Sequence, residues 1–192
     1  MASSVPSGPH ARLPASDWVQ RWSHLVPCGG RVLDVACGHG RHVHWFAGRG
    51  HPITMVDRHA EAIAALEGLG EAVCADIEAG PWPFVGRVFE AVVVTHYLWR
   101  PLMPTLLASL APGGVLIYET FAQGNESVGK PARPDFLLQY GELLRHCSGL
   151  RVVAYEDGFL PEPARFVQRI AAIREAGQPD GGLVRYALTD LT

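Results

Sequence analysis

Short apolar runs alternate with helical patterns along the first two thirds of the chain. Five runs are aliphatic or β-branched and are bounded by glycine, proline or polar residues, as buried strands are. They predict strands over residues 31–36, 52–56, 71–74, 89–95 and 115–120. Helical spacing or composition predicts helices over residues 15–25, 41–48, 60–66 and 102–110. Such alternation is typical of βαβ units, which form a parallel sheet with helices on both faces.

The pattern changes beyond residue 121. Residues 122–134 are rich in Gly, Asn and Pro and predict a loop, which a helix over residues 134–146 follows. Two strand-like stretches, 150–155 and 166–173, flank a prolyl segment and predict an antiparallel hairpin at the sheet edge. We therefore expect an α/β fold with a doubly wound, seven-stranded sheet of six parallel strands and one antiparallel strand.

The length of 192 residues fits one domain. We place that domain at residues 15–176. Residues 1–14 are rich in Ser, Pro and Gly and predict a flexible tail. Residues 177–192 form a C-terminal tail with turn chemistry and a possible short strand at 183–188, and the sequence assigns no role to it.

The charge, apolar runs and cysteine content of the chain disfavour several classes of protein. The formal net charge is −3, with 16 basic and 19 acidic residues, which disfavours a nucleic-acid-binding protein. The apolar runs fall far short of the roughly 20 residues that a membrane span needs. The four cysteines fit no zinc ribbon, and no apolar signal segment opens the chain, so we expect free thiols and a cytoplasmic protein.

The most informative stretch is VLDVACGHGRH at residues 32–42. It places Asp34 in a predicted strand, and Gly38 and Gly40 in the turn that leads to a helix. This pattern is typical of a ligand lying over the carboxyl ends of parallel strands, where glycines let the backbone come close. A buried carboxylate is costly without a partner, so Asp34 favours a ligand with a positively charged end. S-adenosylmethionine carries both an ammonium and a sulfonium.

A dinucleotide is the competing ligand for such a turn. Its binding sequence GxGxxG would need a third glycine at position 43, where the chain has Val43. The acidic residue just before the turn would also repel a pyrophosphate. A nicotinamide-dependent oxidoreductase is therefore the less favoured interpretation.

The DxxCGxG turn resembles motif I of class I S-adenosylmethionine-dependent methyltransferases. The resemblance extends over about residues 16–176, and within the superfamily the chain is similar to small bacterial single-domain methyltransferases related to the tellurite-resistance type. It implies that the methionine part of the cofactor is held by Asp34, Ala36, Gly38 and Gly40.

The same resemblance assigns residues at the next two strand ends. Asp57 matches the acid that binds the ribose hydroxyls, with Arg58 beside it. Asp76 matches the acid beside the adenine amino group, with Ile77 against the ring. Independently, a strand end is where doubly wound folds bind vicinal hydroxyls. Each aspartate taken alone could equally be a helix cap.

Thr95, His96 and Tyr97 end the fourth predicted strand, where motif IV faces cofactor and acceptor in the family that the chain resembles. Thr95 is expected at the cofactor, and His96 and Tyr97 are the candidate catalytic residues. His96 could act as general base for a hydroxyl or thiol, or simply donate a hydrogen bond at the crevice edge. The resemblance also places Trp18 on a helix that covers the cofactor, with ordinary core packing as the alternative.

Two further features bear on the reaction. The Asn/Asp-Pro-Pro-aromatic sequence of enzymes that methylate nucleic-acid bases or glutamine amides is replaced by THYL at residues 95–98. The histidines at 39, 42 and 44 do not have metal-ligand spacing, so no metal site is expected. In the loop after strand five, Asn125 and Glu126 could orient a substrate or simply be solvated.

These features predict S-adenosylmethionine-dependent methyl transfer to a small-molecule acceptor by in-line displacement. A small acceptor is favoured because little chain lies beyond the cofactor-binding core. Neither nucleic acid nor membrane is an expected partner, and the oligomeric state is left open. The alternative is a non-catalytic S-adenosylmethionine-binding regulatory protein.

Overall fold

The computed structural model describes residues 13–177, 182 and 184–190. These residues form one sheet of seven strands: β1 (Val32–Val35), β2 (Ile53–Asp57), β3 (Glu71–Cys74), β4 (Phe89–Thr95), β5 (Leu110–Phe121), β6 (Arg151–Pro161) and β7 (Ala164–Ile173). They also form five α-helices: α1 (Asp17–Trp22), α2 (Arg41–Ala47), α3 (Ala60–Ala64), α4 (Met103–Ala108) and α5 (Glu142–His146). None of these helices has the length and apolar character needed to cross a membrane.

The strand order is β3-β2-β1-β4-β5-β7-β6. β1 pairs in parallel with both β2 and β4, and the parallel pairing continues to β3 on one side and β5 on the other. β7 is antiparallel to β5, and β6 is antiparallel to β7, so β6 runs in the same direction as β1–β5. The predicted doubly wound sheet with six strands in one direction and a C-terminal hairpin is confirmed.

The central strands are apolar because both of their faces are covered. All four residues of β1 are buried, and alternate residues of β4 contribute to separate cores on the two faces of the sheet. Trp18, Trp22 and Phe46 from α1 and α2 cover one face. Met103 and Leu106 from α4 and Leu143 from α5 cover the other. Burial on both faces explains why the sequence of these strands lacks the polar alternation of a half-exposed sheet.

Four element predictions need correction. The helix predicted over residues 134–146 is wrong: a 3-10 turn at Pro134–Phe136 precedes an extended segment, and α5 begins only at Glu142. The backbone N–H of Leu138 donates to the carbonyl of Phe121, so this part of the loop is bound to the end of β5 rather than coiled. β5 and β6 are longer than predicted. Residues 184–188 form no strand, and residue 183 and residues 1–12 lie outside the described residues.

The topology creates a crevice at one edge of the sheet. β1–β5 all end at the same edge, and the chain proceeds from β1 towards β3 on one side and through β4 and β5 on the other. Open α/β sheets bind ligands at such a switch point, outside the carboxyl ends of the strands. The turn after β1 therefore lies where a ligand is expected.

Gly40 fixes the close packing of this turn. Its φ is +72°, and a Cβ there would collide with the buried side chain of Leu66. We expect Gly40→Ala to lower the free energy of unfolding by about 1–3 kcal/mol, through backbone strain and displacement of Leu66. Urea denaturation measures the difference. Gly149→Ala is the matched control, since a Cβ there meets nothing within 4 Å; equal losses for both variants would contradict this explanation.

Candidate functional site

A cavity of about 370 Å³ opens at the carboxyl edge of the sheet. This volume is within the usual range of small-molecule sites. The ends of β1–β5 contribute to its wall, and the loop between β5 and α5 closes one side. The lining residues are Ala36, Asp57, Arg58, His59, Ala75, Asp76, Ile77, Glu78, His96, Tyr97, Leu98, Thr120, Phe121, Pro131 and Phe136.

The structure brings most of the predicted site residues to this one cavity. The predicted residues in its wall are Ala36, Asp57, Arg58, Asp76, Ile77, His96 and Tyr97. Asp34, Gly38, Gly40 and Thr95 do not line the cavity, although each lies within four residues of a lining residue along the chain. Trp18 lies apart from them.

Asp34 is a buried acid within β1. Its side chain is 1% exposed, and Oδ2 has no hydrogen-bond partner in the described part of the chain. Burial raises its pKa to about 8, although the nearby guanidinium of Arg41 acts in the opposite direction. Asp34 is thus a largely neutral carboxyl at neutral pH, and a positively charged group beside it would favour its ionised form.

The turn after β1 connects Asp34 to the acid at the end of β2. Ala36 has a left-handed backbone, with φ of 53°, and Gly38 has φ of 52°. The N–H of Gly38 donates to Oδ2 of Asp57 over 2.9 Å. A Cβ on Gly38 would meet no described residue within 4 Å, so the described part of the chain leaves open space beside the turn. The two glycines therefore serve different needs: Gly40 packs closely, whereas Gly38 faces free volume.

Asp57 is held in its ionised form. Its Oδ1 accepts hydrogen bonds from the backbone N–H and from Nδ1 of His59, over 2.9 and 2.8 Å. Burial disfavours the charged form, but the hydrogen bonds from His59 and Gly38 outweigh it and lower the pKa of Asp57. The side chain of His59 is 68% exposed. It can therefore move away from Asp57 without disrupting the core.

Asp76 acts as a local cap and also lines the cavity. Its Oδ1 accepts from the N–H groups of Glu78 and Ala79 over 2.9 and 3.1 Å, and these bonds lower its pKa. Residues 77–79 form a turn, so Asp76 caps a turn and not the helix that the alternative assumed, and this role is compatible with a place in the site. Ile77, the next residue, is a buried part of the same wall.

His96 follows β4 with a left-handed backbone, φ 54°. Its N–H donates to the carbonyl of Glu119 over 2.9 Å, its ring centre is 5.0 Å from that of Phe121, and its Nε2 is 3.9 Å from Oε1 of Glu119. Burial and then the charge of Arg41 lower its pKa, so the ring is uncharged at neutral pH. An uncharged imidazole facing a cavity is able to accept a proton.

Ala36 and His96 are the only non-glycine residues with positive φ in the described ranges. Each is the first residue after a central strand, β1 or β4, and the two strands flank the switch point. Strained backbone of this kind persists where the surroundings fix it, and it is frequent at functional sites.

Tyr97 lines the cavity next to His96. Burial, followed by the carboxylate of Glu78, raises the pKa of the Tyr97 phenol well above its ordinary value. The phenol therefore stays protonated at neutral pH and is not a base there. Its ring forms part of the apolar wall, and its carbonyl accepts a hydrogen bond from the Tyr118 hydroxyl over 2.7 Å.

Sequence reasoning missed a polar network on the α1–α2 side of the site. Glu119 on β5 is 2% exposed and accepts from Ser16 Oγ over 2.9 Å and from Arg169 Nη1 over 3.3 Å. Its position inside an apolar strand is the same signal that singled out Asp34, and it could have identified Glu119 as well. The network joins the cap of α1 to the last part of β5 and the middle of β7.

His42 is a structural member of this network. Its Nε2 accepts from the backbone N–H of Ser16 over 3.2 Å, so the proton lies on Nδ1, 3.4 Å from Thr95 Oγ1. Burial and then Arg41 lower its pKa to about 3. Thr95 also accepts from Nη2 of Arg41 at 3.5 Å. Thr95 thus connects the end of β4 to α2.

Trp18 belongs to the core. It is 1% exposed, its Nε1 donates to the carbonyl of Ile170 over 3.2 Å, and the guanidinium of Arg169 lies 4.9 Å from its ring centre. The structure therefore corresponds to the packing alternative for this residue and does not place it along the cavity. Asn125 is likewise occupied: its side chain bonds Pro131 and Phe166 and holds the loop on β7.

Residues 32–114, from β1 into β5, match the protein family described as Methyltransferase domain. This match confirms the resemblance to class I S-adenosylmethionine-dependent methyltransferases. No curated protein sequence matches the chain.

Solved structures share the fold at low sequence identity. TehB from Haemophilus influenzae has a TM-score of 0.67 and 19% identity, over 83% of this chain and 62% of that one, so this chain spans less than two thirds of TehB. A SAM-dependent methyltransferase from Methanosarcina mazei has a TM-score of 0.64 and 16% identity, over 86% of this chain and 100% of that one. The cyclase SpnF has a TM-score of 0.62 and 16% identity, over 83% and 79%. These similarities establish the fold.

The buried acid makes the stability of the ligand-free protein depend on pH. The unfolded chain loses the Asp34 proton near pH 4, whereas the folded chain keeps it to about pH 8. The contribution of the Asp34 carboxyl to the free energy of unfolding is therefore largest below pH 4 and falls as the pH rises towards 8. We expect a slope of up to about 1.4 kcal/mol per pH unit from this group.

Urea denaturation between these pH values measures the slope. Asp34→Asn, which keeps a neutral side chain of the same shape, should remove it. Asp135→Asn changes an exposed carboxyl and serves as the control. An identical pH dependence of the wild type and Asp34→Asn would show that Asp34 titrates normally.

Proposed function

We propose that this chain, which carries a methyltransferase domain over residues 32–114, is an S-adenosylmethionine-dependent methyltransferase that acts on a small-molecule acceptor. The observation that carries the proposal is the arrangement of three aspartates around the switch point. Asp57 and Asp76 line the crevice, and the buried Asp34 lies within β1, two residues before Ala36 in the same wall. The family match supports S-adenosylmethionine as the cofactor.

The residues of the crevice fit this cofactor. Asp34 has an unsatisfied buried carboxyl oxygen that suits a cationic group, and the open space beside Gly38 accommodates a ligand next to the turn. Asp57 is an ionised carboxylate at a strand end and would accept hydrogen bonds from ribose hydroxyls once the exposed His59 ring moves aside. Asp76 and the apolar Ile77 would hold the adenine.

When bound, S-adenosylmethionine supplies a methyl group on a sulfonium, which is already activated for in-line displacement. The protein then has to align the acceptor and keep water away. The side chains of Tyr97, Leu98, Phe121 and Phe136 give the acceptor side of the cavity apolar walls.

His96 would remove the proton from a hydroxyl or thiol acceptor. Its ring is uncharged at neutral pH and lies in the cavity wall on the acceptor side. As the acceptor oxygen or sulfur bonds to the methyl carbon, the electron pair of the carbon–sulfur bond stays on the leaving thioether. The acceptor proton passes to the imidazole. Tyr97, with a raised pKa, could donate a hydrogen bond but not accept the proton.

The experiment that tests this function measures binding and transfer separately. Calorimetry gives the affinity for S-adenosylmethionine, and formation of S-adenosylhomocysteine with a panel of hydroxyl, thiol and amine acceptors reports transfer. We expect Asp57→Ala to weaken binding by about tenfold to a hundredfold, or about 1–3 kcal/mol, because the ribose hydroxyls lose a charged acceptor.

Glu67→Ala is the matched control, because it removes an exposed carboxylate outside the cavity. An unchanged affinity of Asp57→Ala would contradict the ribose role. Tight binding with no turnover across the panel would instead indicate a non-catalytic S-adenosylmethionine-binding protein.

A further inference from the structure

The charged groups differ between the two sides of the crevice. The carboxylates of Asp57, Asp76 and Glu78 line the part next to β2 and β3, together with Arg58. On the side of β4, β5 and β7, His96 lines the cavity, and Arg41 and Arg165 act on His96 from behind the lining. The two halves therefore suit ligands of different charge.

The strand pairing places Arg165 at the same end of the sheet, and on the same face, as the polar network around Glu119. β7 is antiparallel to β5, with Glu119 paired to Arg169 and Phe121 to Val167, so Arg165 lies beyond the carboxyl end of β5. Residues 165, 167 and 169 share one face of β7, because side chains alternate along a strand. Arg169 bonds to Glu119 on that face.

Neither Arg41 nor Arg165 is neutralised by an ion pair within 4 Å in the described part of the chain. Arg41 reaches only Thr95, at 3.5 Å, and Arg165 donates from Nη1 to the carbonyl of Pro163 over 3.1 Å. Nε of Arg165 is buried and has no hydrogen-bond partner among the described residues. A buried guanidinium donor without an acceptor is costly, and an anionic ligand would satisfy it.

The charge balance of this region leaves an excess of positive charge. Glu119 and Glu156 both bind Arg169, Glu156 also pairs with Arg21, and Glu119 is the carboxylate that acts most strongly on Arg41. Asp34 also acts on Arg41, and in the cofactor-bound protein the cationic end of the cofactor would balance the charge of Asp34. Four guanidinium groups, those of Arg21, Arg41, Arg165 and Arg169, thus share two carboxylates. Arg41 and Arg165 both act on His96 as like charges, which supports their proximity to it.

We propose that the methyl acceptor carries a carboxylate, which binds between Arg41 and Arg165 next to His96 while its apolar body lies against Tyr97, Phe121 and Phe136. This inference rests on the proposed function and specifies its substrate class. Guanidinium groups match planar carboxylates in geometry and hold them with charge-assisted hydrogen bonds. Aromatic walls favour a flat apolar body, as in a hydroxy-substituted aromatic acid.

The test uses the full chain saturated with S-adenosylhomocysteine, so that the cofactor half of the crevice is filled. The probes are the three hydroxybenzoate isomers and the corresponding neutral hydroxybenzamides, with binding measured by calorimetry. We expect at least one hydroxybenzoate to bind at least about tenfold more tightly than its amide. Arg165→Gln and Arg41→Gln should each reduce that preference, whereas Arg165→Lys should retain part of it.

Arg151→Gln is the matched control, because Arg151 is at the opposite end of the β6–β7 hairpin, paired with Ile173. Binding of S-adenosylhomocysteine verifies the fold of each variant. A further binding measurement distinguishes the two carboxylates that the arginines could hold, that of the acceptor and that of the cofactor. If the arginines hold the cofactor's own carboxylate, Arg165→Gln and Arg41→Gln would weaken S-adenosylhomocysteine but not 5′-methylthioadenosine, which lacks the amino-acid part, and the proposal would be overturned.

Equal binding of the hydroxybenzoates and their amides, or no binding of either in the presence of S-adenosylhomocysteine, would also overturn the proposal of a carboxylate-bearing acceptor. The proposed methyltransferase function would survive both results. Failure of the wild-type protein to bind S-adenosylhomocysteine would overturn the proposed function and this inference with it.

Discussion

The burial of the two central strands on both faces is the constraint on which the site depends. β1 and β4 lie between two apolar cores, so a polar side chain at their ends must find a partner in the protein or in a ligand. Thr95 finds its partners in Arg41 and His42, and Glu119 on neighbouring β5 finds them in Ser16 and Arg169. Of these side chains, only Asp34 keeps an oxygen without a partner among the described residues. That exception lies at the switch point of the sheet, where a ligand is expected.

Two consequences follow along the crevice. Towards β3, the strand ends supply carboxylates that are themselves fixed by backbone N–H groups, as Asp57 and Asp76 are, so their geometry is set before any ligand arrives. Towards β7, the same edge carries arginines whose positive charge is incompletely neutralised. A ligand with a neutral, hydroxyl-rich end would bind the carboxylate side, and the acidic molecule with which it reacts would bind the arginine side. Ala36 and His96, whose backbone is strained, lie between the two sides.

The sequence predicts the sheet, and the position of Asp57 and Asp76 at one crevice, because both follow from local patterns. Asp34 lies within a predicted strand, and Asp57 and Asp76 lie at or just after one, so local sequence identifies them; parallel topology then brings the strand ends together. The loop around Leu138 was mispredicted as helix because its partner, Phe121, is distant in sequence. Glu119 and its partner Arg169 have no joint sequence signal for the same reason: only the antiparallel addition of β7 next to β5 brings them together. The left-handed φ of His96 likewise has no sequence signal, since the residue is not glycine.

The most direct test of the central claim follows the proton on Asp34 during binding. Calorimetry of S-adenosylmethionine binding at about pH 6.5, in two buffers with different ionisation enthalpies, counts the protons released. Because the ligand-free carboxyl has a pKa of about 8, a cationic ligand beside it should expel close to one proton, and Asp34→Asn should release none. Equal heats in both buffers for wild-type protein that binds the ligand would show that Asp34 does not meet a positive charge in this crevice.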